Sequence, residues 1–428
     1  MSQGPTIPED TARAVIAPQA YADGHTALEA LAWLRANNPV GRAELEGIRP
    51  FWVVTRHADI LEASRQNDLF HSGDLSTTFT DLQGEARVRQ MTGGSPHLVR
   101  TLVQMDAPDH PKYRILSQSW FLPQNIRRLE ERIRQIARQH VDRMAELGGA
   151  CDFARDIAVT YPLRVIMEVL GVPEADEPRM LRLTQELFGA ADPDLKRATA
   201  ATDENSNPLA NLQGIIADFF LYFKKVTDDR KAEPKNDLAS VIANGKIDGA
   251  PISDFEALSY YTIVATAGHD TTSSSTAGAI WGLCEAPGEF AKVKADPSLI
   301  PGLVDESIRW VTPVKHFMRT ATAPAELGGR KIETGDWLWL SYPSGNRDEA
   351  VFDAPDAFRV DRSPNRHLAF GYGAHVCLGQ HLAKMEMRIL WEELIPRLAS
   401  LELAGEPQLA VASFVGGPKR LPIRYKMA

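Results

Sequence analysis

Apolar residues recur at every third or fourth position along much of the chain, the spacing typical of amphipathic helices. This pattern predicts helices over residues 26–37, 57–66, 123–144 and most of 174–225. In the last of these, a polar stretch at 201–208 interrupts the pattern. Helices therefore account for most of the predicted structure.

Continuous runs of β-branched and aromatic residues are shorter and fewer. They predict a strand at 51–55 and a hairpin formed by 327–332 and 337–341. Residues 71–104 contain several glycines and few periodic apolar positions, so we expect an irregular segment, and such segments are often functional. The pattern as a whole indicates a mainly α protein with small β-sheets.

The longest predicted helix covers residues 253–284 without a proline. Ser253 followed by Glu256 is typical of a capped helix start. At about 1.5 Å per residue, a helix of this length can cross a domain.

The centre of this helix is unusually polar. Gly268, Asp270 and Thr271 belong to residue types that are poor helix formers in a buried position, and such local violations often mark function. Thr271 can bond the carbonyl of Ala267 and bend the helix. Ala267 and Gly268 would then leave room for a small ligand such as O2, and Asp270 could relay protons. The alternative is that Asp270 and Thr271 only pair with other core groups; His269 is expected to be structural.

Composition narrows the class of protein. The chain has 428 residues, 44% of them hydrophobic, and a net charge of −9, which argues against nucleic-acid binding. Its three cysteines argue against a disulfide framework and for a reducing compartment. Because the chain shows neither a leader pattern nor an apolar run of about 18 residues, we expect a cytoplasmic protein without a membrane segment. Nothing requires more than a monomer.

Cys377 lies in a glycine-rich loop, Phe370 to Gly379, directly before a helical pattern. Glycine permits φ > 0 and close backbone approach. Several N–H groups can therefore point at one sulfur, and at a helix start they favour the thiolate. A thiolate held in this way suits an axial haem ligand.

Cys377 also has other interpretations. It could be a buried structural thiol. A zinc site with His375 and His381 fits poorly, because structural zinc favours paired ligand spacings. A Cys/His hydrolase would need a third, orienting group, and its local signatures are absent.

Two shorter motifs place side chains on one helix face. His110 and Arg114 are four residues apart, and Glu306 and Arg309 are three apart. By spacing alone, both motifs are weak evidence for a functional role, since solvated pairs of this kind are common.

Together, the FGxGxHxCxG loop at 370–379, the AGxDT stretch at 267–271 and the HxxxR and ExxR motifs resemble the cytochrome P-450 family of haem-thiolate monooxygenases. The resemblance implies the P-450 fold, with one domain over 1–428. It also implies a smaller β-rich region, mainly about 40–60 and 311–345 plus the C-terminal tail, and a buried haem b (iron protoporphyrin IX).

The resemblance also implies residue roles. Cys377 would be the iron ligand, and Asp270 with Thr271 the acid–alcohol pair of oxygen activation. Glu306 and Arg309 would form a structural pair that bonds to Arg362. The cofactor-binding residues would be His110, Arg114, Ala267, Gly268, Arg319, Phe370, Gly371, His375 and Gly379; of these, His110, Arg114, Arg319 and His375 would hold the propionates.

Within the family, the stretches at 21–23, 267–275 and 313–320 resemble the α-terpineol hydroxylases. This implies a small apolar substrate, a monoterpenoid or an alkylbenzene. Val314, Phe317 and Phe414 are the implied pocket residues.

The implied reaction inserts one oxygen atom of O2 into an unactivated C–H bond. Electrons would come from NAD(P)H through a reductase and an acidic iron–sulfur ferredoxin. A peroxide-driven haem-thiolate peroxygenase would not need the Asp270–Thr271 pair, and a non-catalytic haem sensor would need neither that pair nor a substrate pocket.

A basic excess between His110 and Arg143 is the candidate docking surface for the ferredoxin, because complementary charge steers association. The default alternative is a solvated helix face. The basic residues are Lys112, Arg114, Arg127, Arg128, Arg132, Arg134, Arg138 and Arg143, against Glu130, Glu131 and Asp142.

Overall fold

Helices form most of the protein in a computed structural model of the chain, which describes residues 6–189, 191–195 and 208–428. Most of the polar interruption expected at 201–208 lies outside these residues. The helices are α1 (Glu9–Ile16), α2 (Pro18–Ala22), α3 (Thr26–Asn37), α4 (His57–Arg65), α5 (Leu82–Thr92), α6 (Asp109–Gln118), α7 (Pro123–Ile126), α8 (Glu130–Glu146), α9 (Thr160–Leu170), α10 (Glu177–Phe188), α11 (Pro208–Ala232), α12 (Leu238–Ala243), α13 (Asp254–Ala267), α14 (Asp270–Glu285), α15 (Pro287–Ala295), α16 (Ile300–Val311), α17 (Tyr342–Gly345) and α18 (Gln380–Leu394).

The strands are short. They are β1 (Val40–Ala43), β2 (Phe51–Val54), β3 (Phe70–His71), β4 (Ala150–Asp152), β5 (Lys246–Ile247), β6 (Ala250–Pro251), β7 (His316–Ala321), β8 (Ala325–Leu327), β9 (Arg330–Ile332), β10 (Trp337–Ser341), β11 (Leu398–Leu403), β12 (Gln408–Leu409), β13 (Pro418–Arg420) and β14 (Pro422–Met427). The expectation of a mainly α protein with small β-sheets is confirmed.

The largest sheet has the strand order β1-β2-β10-β7-β3. Its neighbours are antiparallel except for the parallel pair β2 and β10, which lie far apart in sequence. A second sheet, β11-β14-β4, combines the C-terminal tail with residues 150–152. The β-rich segments expected near 40–60, 311–345 and the tail do hold strands, but the contribution of β4 was not predicted.

The prediction that residues 327–332 and 337–341 pair as a hairpin was wrong. Strand β8 pairs with β9 across Gly328 and Gly329, whereas β10 pairs with β2 and β7. Both glycines have positive φ, +55° and +73°, which a two-residue hairpin turn requires. The strong apolar run at 337–341 is explained by its central place in the large sheet, where every residue is buried.

The expectation of an irregular segment at 71–104 was also partly wrong, because this segment contains helix α5. The Asp81 side chain caps the helix by accepting the Gly84 N–H at 2.6 Å, and Gly93 ends it with φ +69°. Glu85 is the only buried residue of α5. A helix with so little apolar surface inside leaves no 3.6-residue pattern to find.

Two predicted long helices are broken. A 3₁₀ turn at Arg127–Leu129 separates α7 from α8, and Gly268 with His269 separates α13 from α14. The predicted cap of α13 is present, since Ser253 and Glu256 bond reciprocally. In the described residues, no helix combines the length and apolar composition needed to span a membrane.

A buried charge cluster joins α16 to the irregular segment 346–365. Arg309 donates to both oxygens of Glu306 at 2.8 Å, and Arg362 Nε donates to the same carboxylate at 3.0 Å. The Arg359 N–H and the Asn365 amide also donate to this carboxylate. The predicted contact between Glu306 and Arg362 is therefore present.

Backbone carbonyls satisfy the remaining guanidinium N–H groups. Arg309 donates to Asn346 O at 2.9 Å and Pro355 O at 2.6 Å, and Arg362 to Asp353 O at 2.6 Å. The cluster therefore fixes the irregular segment that leads to Cys377. Burying charge is tolerated only where bonding is this complete.

We predict that Glu306→Gln destabilises the protein by about 3–5 kcal/mol, because two guanidinium groups would stay buried without their carboxylate. Urea denaturation measures this change. Glu9→Gln is the control, since Glu9 forms an exposed pair with Arg13, and such pairs contribute about 0–1 kcal/mol. Equal unfolding midpoints for the two variants would contradict the prediction.

Candidate active site

The loop at 370–379 reaches α18 through two left-handed turns. Gly371 and Gly373 have φ values of +67° and +72°, a region that glycine tolerates best. A Cβ on Gly373 would lie 2.3 Å from the Ser64 carbonyl oxygen. The Cys377 N–H closes the loop by donating to Phe370 O at 2.8 Å.

The Cys377 sulfur accepts the backbone N–H groups of Gly379 and Gln380, where α18 begins. The side chain is exposed, but only to a cavity that it lines. Burial raises the pKa of the Cys377 thiol, and the N–H groups and Arg114 oppose this rise without cancelling it. The expected stabilisation of the thiolate is therefore incomplete without a cation at the sulfur, which is what a bound metal ion provides.

Among the described residues, no second cysteine and no cluster of ion-binding side chains joins Cys377. Burial raises the pKa of Cys151 and of Cys284 to about 12, so both thiols are unreactive. Within the described ranges, the side chains close enough to share an ion are a set without Cys377, namely His71, Asp74 and Asp106. The zinc interpretation of the loop has no support here.

A cavity of about 610 Å³ extends from the Cys377 sulfur between the loop, α18, α13 and α14. It collects nearly all of the predicted site residues, although they come from segments far apart in sequence. Those that line it are His110, Arg114, Ala267, Gly268, Thr271, Val314, Phe317, Arg319, Phe370, Gly371, His375, Cys377, Gly379 and Phe414.

One end of the cavity is basic. Arg114 donates to Val376 O at 2.8 Å, Arg319 donates to Met318 O at 2.8 Å, and the His110 and His375 rings lie 4.3 Å apart. Burial lowers the pKa of all four side chains, that of His110 to about 4. Asp106 compensates part of the positive charge: it lies 3.9 Å from His375 Nε2 and also accepts the Ser72 and Gly73 N–H groups.

Because the lowered pKa values favour neutral histidines, the positive charge at this end comes from Arg114 and Arg319, and burial makes that charge unfavourable. An anionic group in the cavity would reverse the pKa changes. Two carboxylates, such as the propionates of haem, fit this end of the cavity, and iron fits the sulfur at its floor. The residues present suit the implied cofactor.

The break between α13 and α14 lies over the cavity. The Thr271 hydroxyl donates to Ala267 O at 2.8 Å, as the sequence predicted. A Cβ on Gly268 would lie 2.8 Å from the Ile166 side chain, so the backbone here packs closely against α9. Ala267, Gly268 and Thr271 together form a small polar notch in the cavity wall.

Asp270 does not reach this cavity. It lies on another face of α14 and lines a second cavity of about 290 Å³. Ser273, Asp192, Lys419 and Arg420 also line it. Burial raises the pKa of the Asp270 carboxyl, and its Oδ2 has no hydrogen-bond partner among the described residues.

His269 anchors the break between the helices. Its Nε2 lies 2.8 Å from Val159 O, and its Nδ1 lies 3.0 Å from the Thr184 hydroxyl and 3.4 Å from Asp270 Oδ1. Because a carbonyl only accepts, Nε2 carries the proton. The expectation that His269 is structural agrees with these bonds, although it also borders Asp270.

Several cavity residues were not found from the sequence. Residues 76–80 lie in the segment expected to be irregular, and Thr262 lies one helix turn or more from the predicted notch. Glu386 of α18 is buried, with its pKa well above the usual range because of burial, and it bonds Thr272. None of these positions stands out in composition or spacing, so only the packing of distant segments reveals them.

Comparison with known proteins agrees with this geometry. Residues 298–404 match the family model for cytochrome P-450. Over 424 residues the chain is 51% identical to cytochrome P-450-terp of a Pseudomonas species, covering 99% of each chain. The crystal structure of the P-450 CYP108D1 from Novosphingobium aromaticivorans is 47% identical in sequence to this chain and superposes with a TM-score of 0.91. The match covers 99% of this chain and 100% of that chain. A Mycobacterium marinum P-450 in complex with pseudoionone has 30% identity and a TM-score of 0.87, with 99% of both chains covered.

A cysteine sulfur under backbone N–H groups, at the floor of a cavity with a basic end, defines a haem-thiolate protein. The chain belongs to the cytochrome P-450 family. It is a P-450 monooxygenase, and the family implies haem with cysteine thiolate as its cofactor.

We predict that Gly373→Ala lowers both haem retention and thermal stability, because a Cβ at positive φ costs about 1–2 kcal/mol before its clash with Ser64. The ratio of Soret to protein absorbance and a melting curve measure the two effects. Gly288→Ala is the matched control, since its Cβ would meet no atom within 4 Å. A Gly373→Ala protein as stable and as pigmented as the control would contradict the prediction.

Proposed function

We propose that this monooxygenase hydroxylates an unactivated C–H bond of a small apolar substrate, a monoterpenoid or an alkylbenzene. One observation carries the proposal: the Cys377 sulfur and the apolar side chains of Val314, Phe317 and Phe414 line a single cavity. A ten-carbon ligand that buries roughly 300 Å² would gain about 7 kcal/mol before association costs. That gain permits binding without a specific polar contact. The relative named cytochrome P-450-terp supports the terpenoid class.

Cys377 would be the iron ligand. His110, Arg114, Arg319 and His375 would hold the two propionates, and charge-assisted bonds to carboxylates suit the two arginines. When bound, the haem would supply O2 binding and activation. The protein orients the substrate, excludes water and meters protons.

Thr271 and Asp270 would divide the delivery of protons between them. Thr271 lies at the notch over the cavity, where its hydroxyl can hand on a proton while it accepts another. Asp270 faces the second cavity, and burial raises the pKa of its carboxyl, which favours the protonated form. The pair would therefore pass protons across α14, from the polar side to the haem side.

The electron donor would be an acidic iron–sulfur ferredoxin, which its reductase would reduce with NAD(P)H. The enzyme would act as a monomer in the cytoplasm.

The surface expected to bind the ferredoxin is smaller than the sequence suggested, because most of its basic residues pair with carboxylates or line the cavity. Of its basic residues, Arg132 pairs with Glu168, Arg134 with Glu392 and Glu393, Arg138 with Glu393 and Lys112 with Asp248, while Arg114 lines the cavity.

The narrowed surface consists of Arg127, Arg128, Ile115 and Trp120. Both arginines are exposed, and no carboxylate pairs with them in the described part of the chain. Arg128 lies over the Trp120 ring at 4.1 Å, and the Ile115 side chain is 70% exposed. Helix α7, which ends beside these arginines, contacts α18, whose first turn caps the Cys377 sulfur. A basic rim around apolar side chains suits an acidic partner.

One experiment tests the activity. With ferredoxin, reductase and a monoterpenoid such as α-terpineol, NADH consumption should match hydroxylated product. Thr271→Ala should still bind haem and substrate but divert electrons to peroxide, and Asp270→Asn should slow O2 consumption. Thr227→Ala is the control, because its hydroxyl donates to the carbonyl four residues back, as that of Thr271 does, but Thr227 lines neither cavity.

Three contrary results would each lead to a different conclusion about the function. Product formed from peroxide alone, with no loss in either variant, would favour a peroxygenase. No turnover of any apolar compound despite normal haem binding would favour a sensor. Unchanged coupling in Thr271→Ala would remove its proposed role.

A second experiment tests the electron-donor surface. Arg127→Glu with Arg128→Glu should slow reduction by the ferredoxin about tenfold or more at low salt, and less at high salt. Stopped-flow reduction under CO measures the rate. Arg143→Glu is the control, an exposed arginine about 20 Å further along α8. Equal rates for both proteins at every salt concentration would exclude this surface.

A further inference from the structure

His316 is the first residue of β7, and its side chain is fully buried between two segments of the cavity wall. One is the segment 76–80, which precedes α5. The other is the turn at 413–415, which precedes β13. Both contribute lining residues on the side of Val314 and Phe317.

The His316 ring bonds both segments. Its Nδ1 lies 2.9 Å from Ser413 O, and the Phe79 N–H points at its Nε2 with an N···N distance of 3.2 Å. A carbonyl only accepts and an amide N–H only donates, so Nδ1 must carry the proton and Nε2 must accept. The ring is therefore neutral, and burial lowers the pKa of His316 to about 3, which keeps it so.

Stacking fixes the plane of the ring. The His316 ring lies 3.6 Å from the Trp339 ring at an angle of 21°, and Phe414 meets its edge at 5.5 Å. Trp339 belongs to the buried centre of β10. The ring therefore has one position and one tautomer, both set by the rigid sheet.

Other bonds to these segments come from the β7 backbone, from the residues before it and from Trp337 of β10, whose Nε1 donates to Ser76 O at 3.1 Å. Met318 N donates to Thr77 O at 2.9 Å, Lys315 N donates to Phe414 O at 2.7 Å, and Gly416 N donates to Pro313 O at 3.0 Å. Each of these bonds holds one segment. The His316 ring bonds the two segments at once, so its size sets their separation.

We infer that His316 is a positioning residue that sets the width of the substrate pocket, and through it the shape of the molecules that the enzyme accepts. The inference rests on the proposed function only in treating this end of the cavity as the substrate pocket. Without the ring, the segments 76–80 and 413–415 would keep only their separate bonds to the sheet, so the distance between them could change. The pocket would then lose discrimination between slim and broad ligands.

The test uses three iron-ligating probes on the ferric holoprotein: imidazole, 4-phenylimidazole and 2-phenylimidazole. Soret titrations give their dissociation constants without any turnover. Two variants are compared with the native protein. His316→Phe keeps the ring but neither bond, and His316→Asn keeps a donor for Ser413 O but loses the acceptor for the Phe79 N–H.

In both variants the ratio of the dissociation constants of the two phenylimidazoles should change by about tenfold, the equivalent of one or two lost hydrogen bonds. Imidazole binding and the spectrum of the reduced CO complex should stay unchanged. Hydrogen exchange at the Phe79 amide should be faster in His316→Asn.

His57→Phe is the matched control. His57 is another buried histidine with a backbone bond, to Arg366 O at 2.8 Å, but it lines neither cavity. It should lose comparable stability with no change in the ratio. An unchanged ratio in the folded His316 variants, or an equal change in His57→Phe, would overturn the inference. If the protein oxidised no apolar compound but the ratio still changed, the proposed function alone would fail.

Discussion

A sulfur atom has to carry negative charge inside a protein, and the rest of this structure depends on how that is achieved. Burial opposes the thiolate of Cys377. Two N–H groups at the start of α18 and the charge of Arg114 reduce the cost without removing it, so the sulfur is prepared for a cation and not satisfied by the protein alone. Gly373 brings the loop against Ser64, and the Glu306 cluster fixes the segment before the loop.

Two cavities meet at α14, which follows the break at Gly268 and His269. Neighbouring residues on a helix face different directions, so Asp270 and Thr271 open onto two different cavities. The second cavity holds the Asp270 carboxyl near Lys419 and Arg420, whereas Thr271 presents a hydroxyl to the cavity at Cys377. In the proposed function, protons would reach the haem from the Asp270 side of α14 and the apolar substrate from the Thr271 side.

Strand β7 joins the remaining parts. It lies beside the central strand β10 in the large sheet, and its first residues bond the segment 76–80 and the C-terminal turn. Three segments form this part of the pocket wall: β7 with the residues before it, and the loops 76–80 and 413–415. The two loops are bonded to the large sheet. In the interpretation proposed above, the sheet determines the shape of the pocket, and the helices determine the chemistry.

The sequence by itself determined the family, the fold class and most of the candidate site. The loop at 370–379 and the motifs at 110–114, 267–271 and 306–309 are local, and each needs particular residue types at short spacings. The tertiary structure decided what depends on contacts between distant segments: the pairing of β2 with β10, the second cavity at Asp270, the ion pairs that narrow the basic surface, and the position of His316. A short motif constrains its own backbone, whereas burial, pKa and pairing depend on atoms that may come from anywhere in the chain, and no local pattern records them.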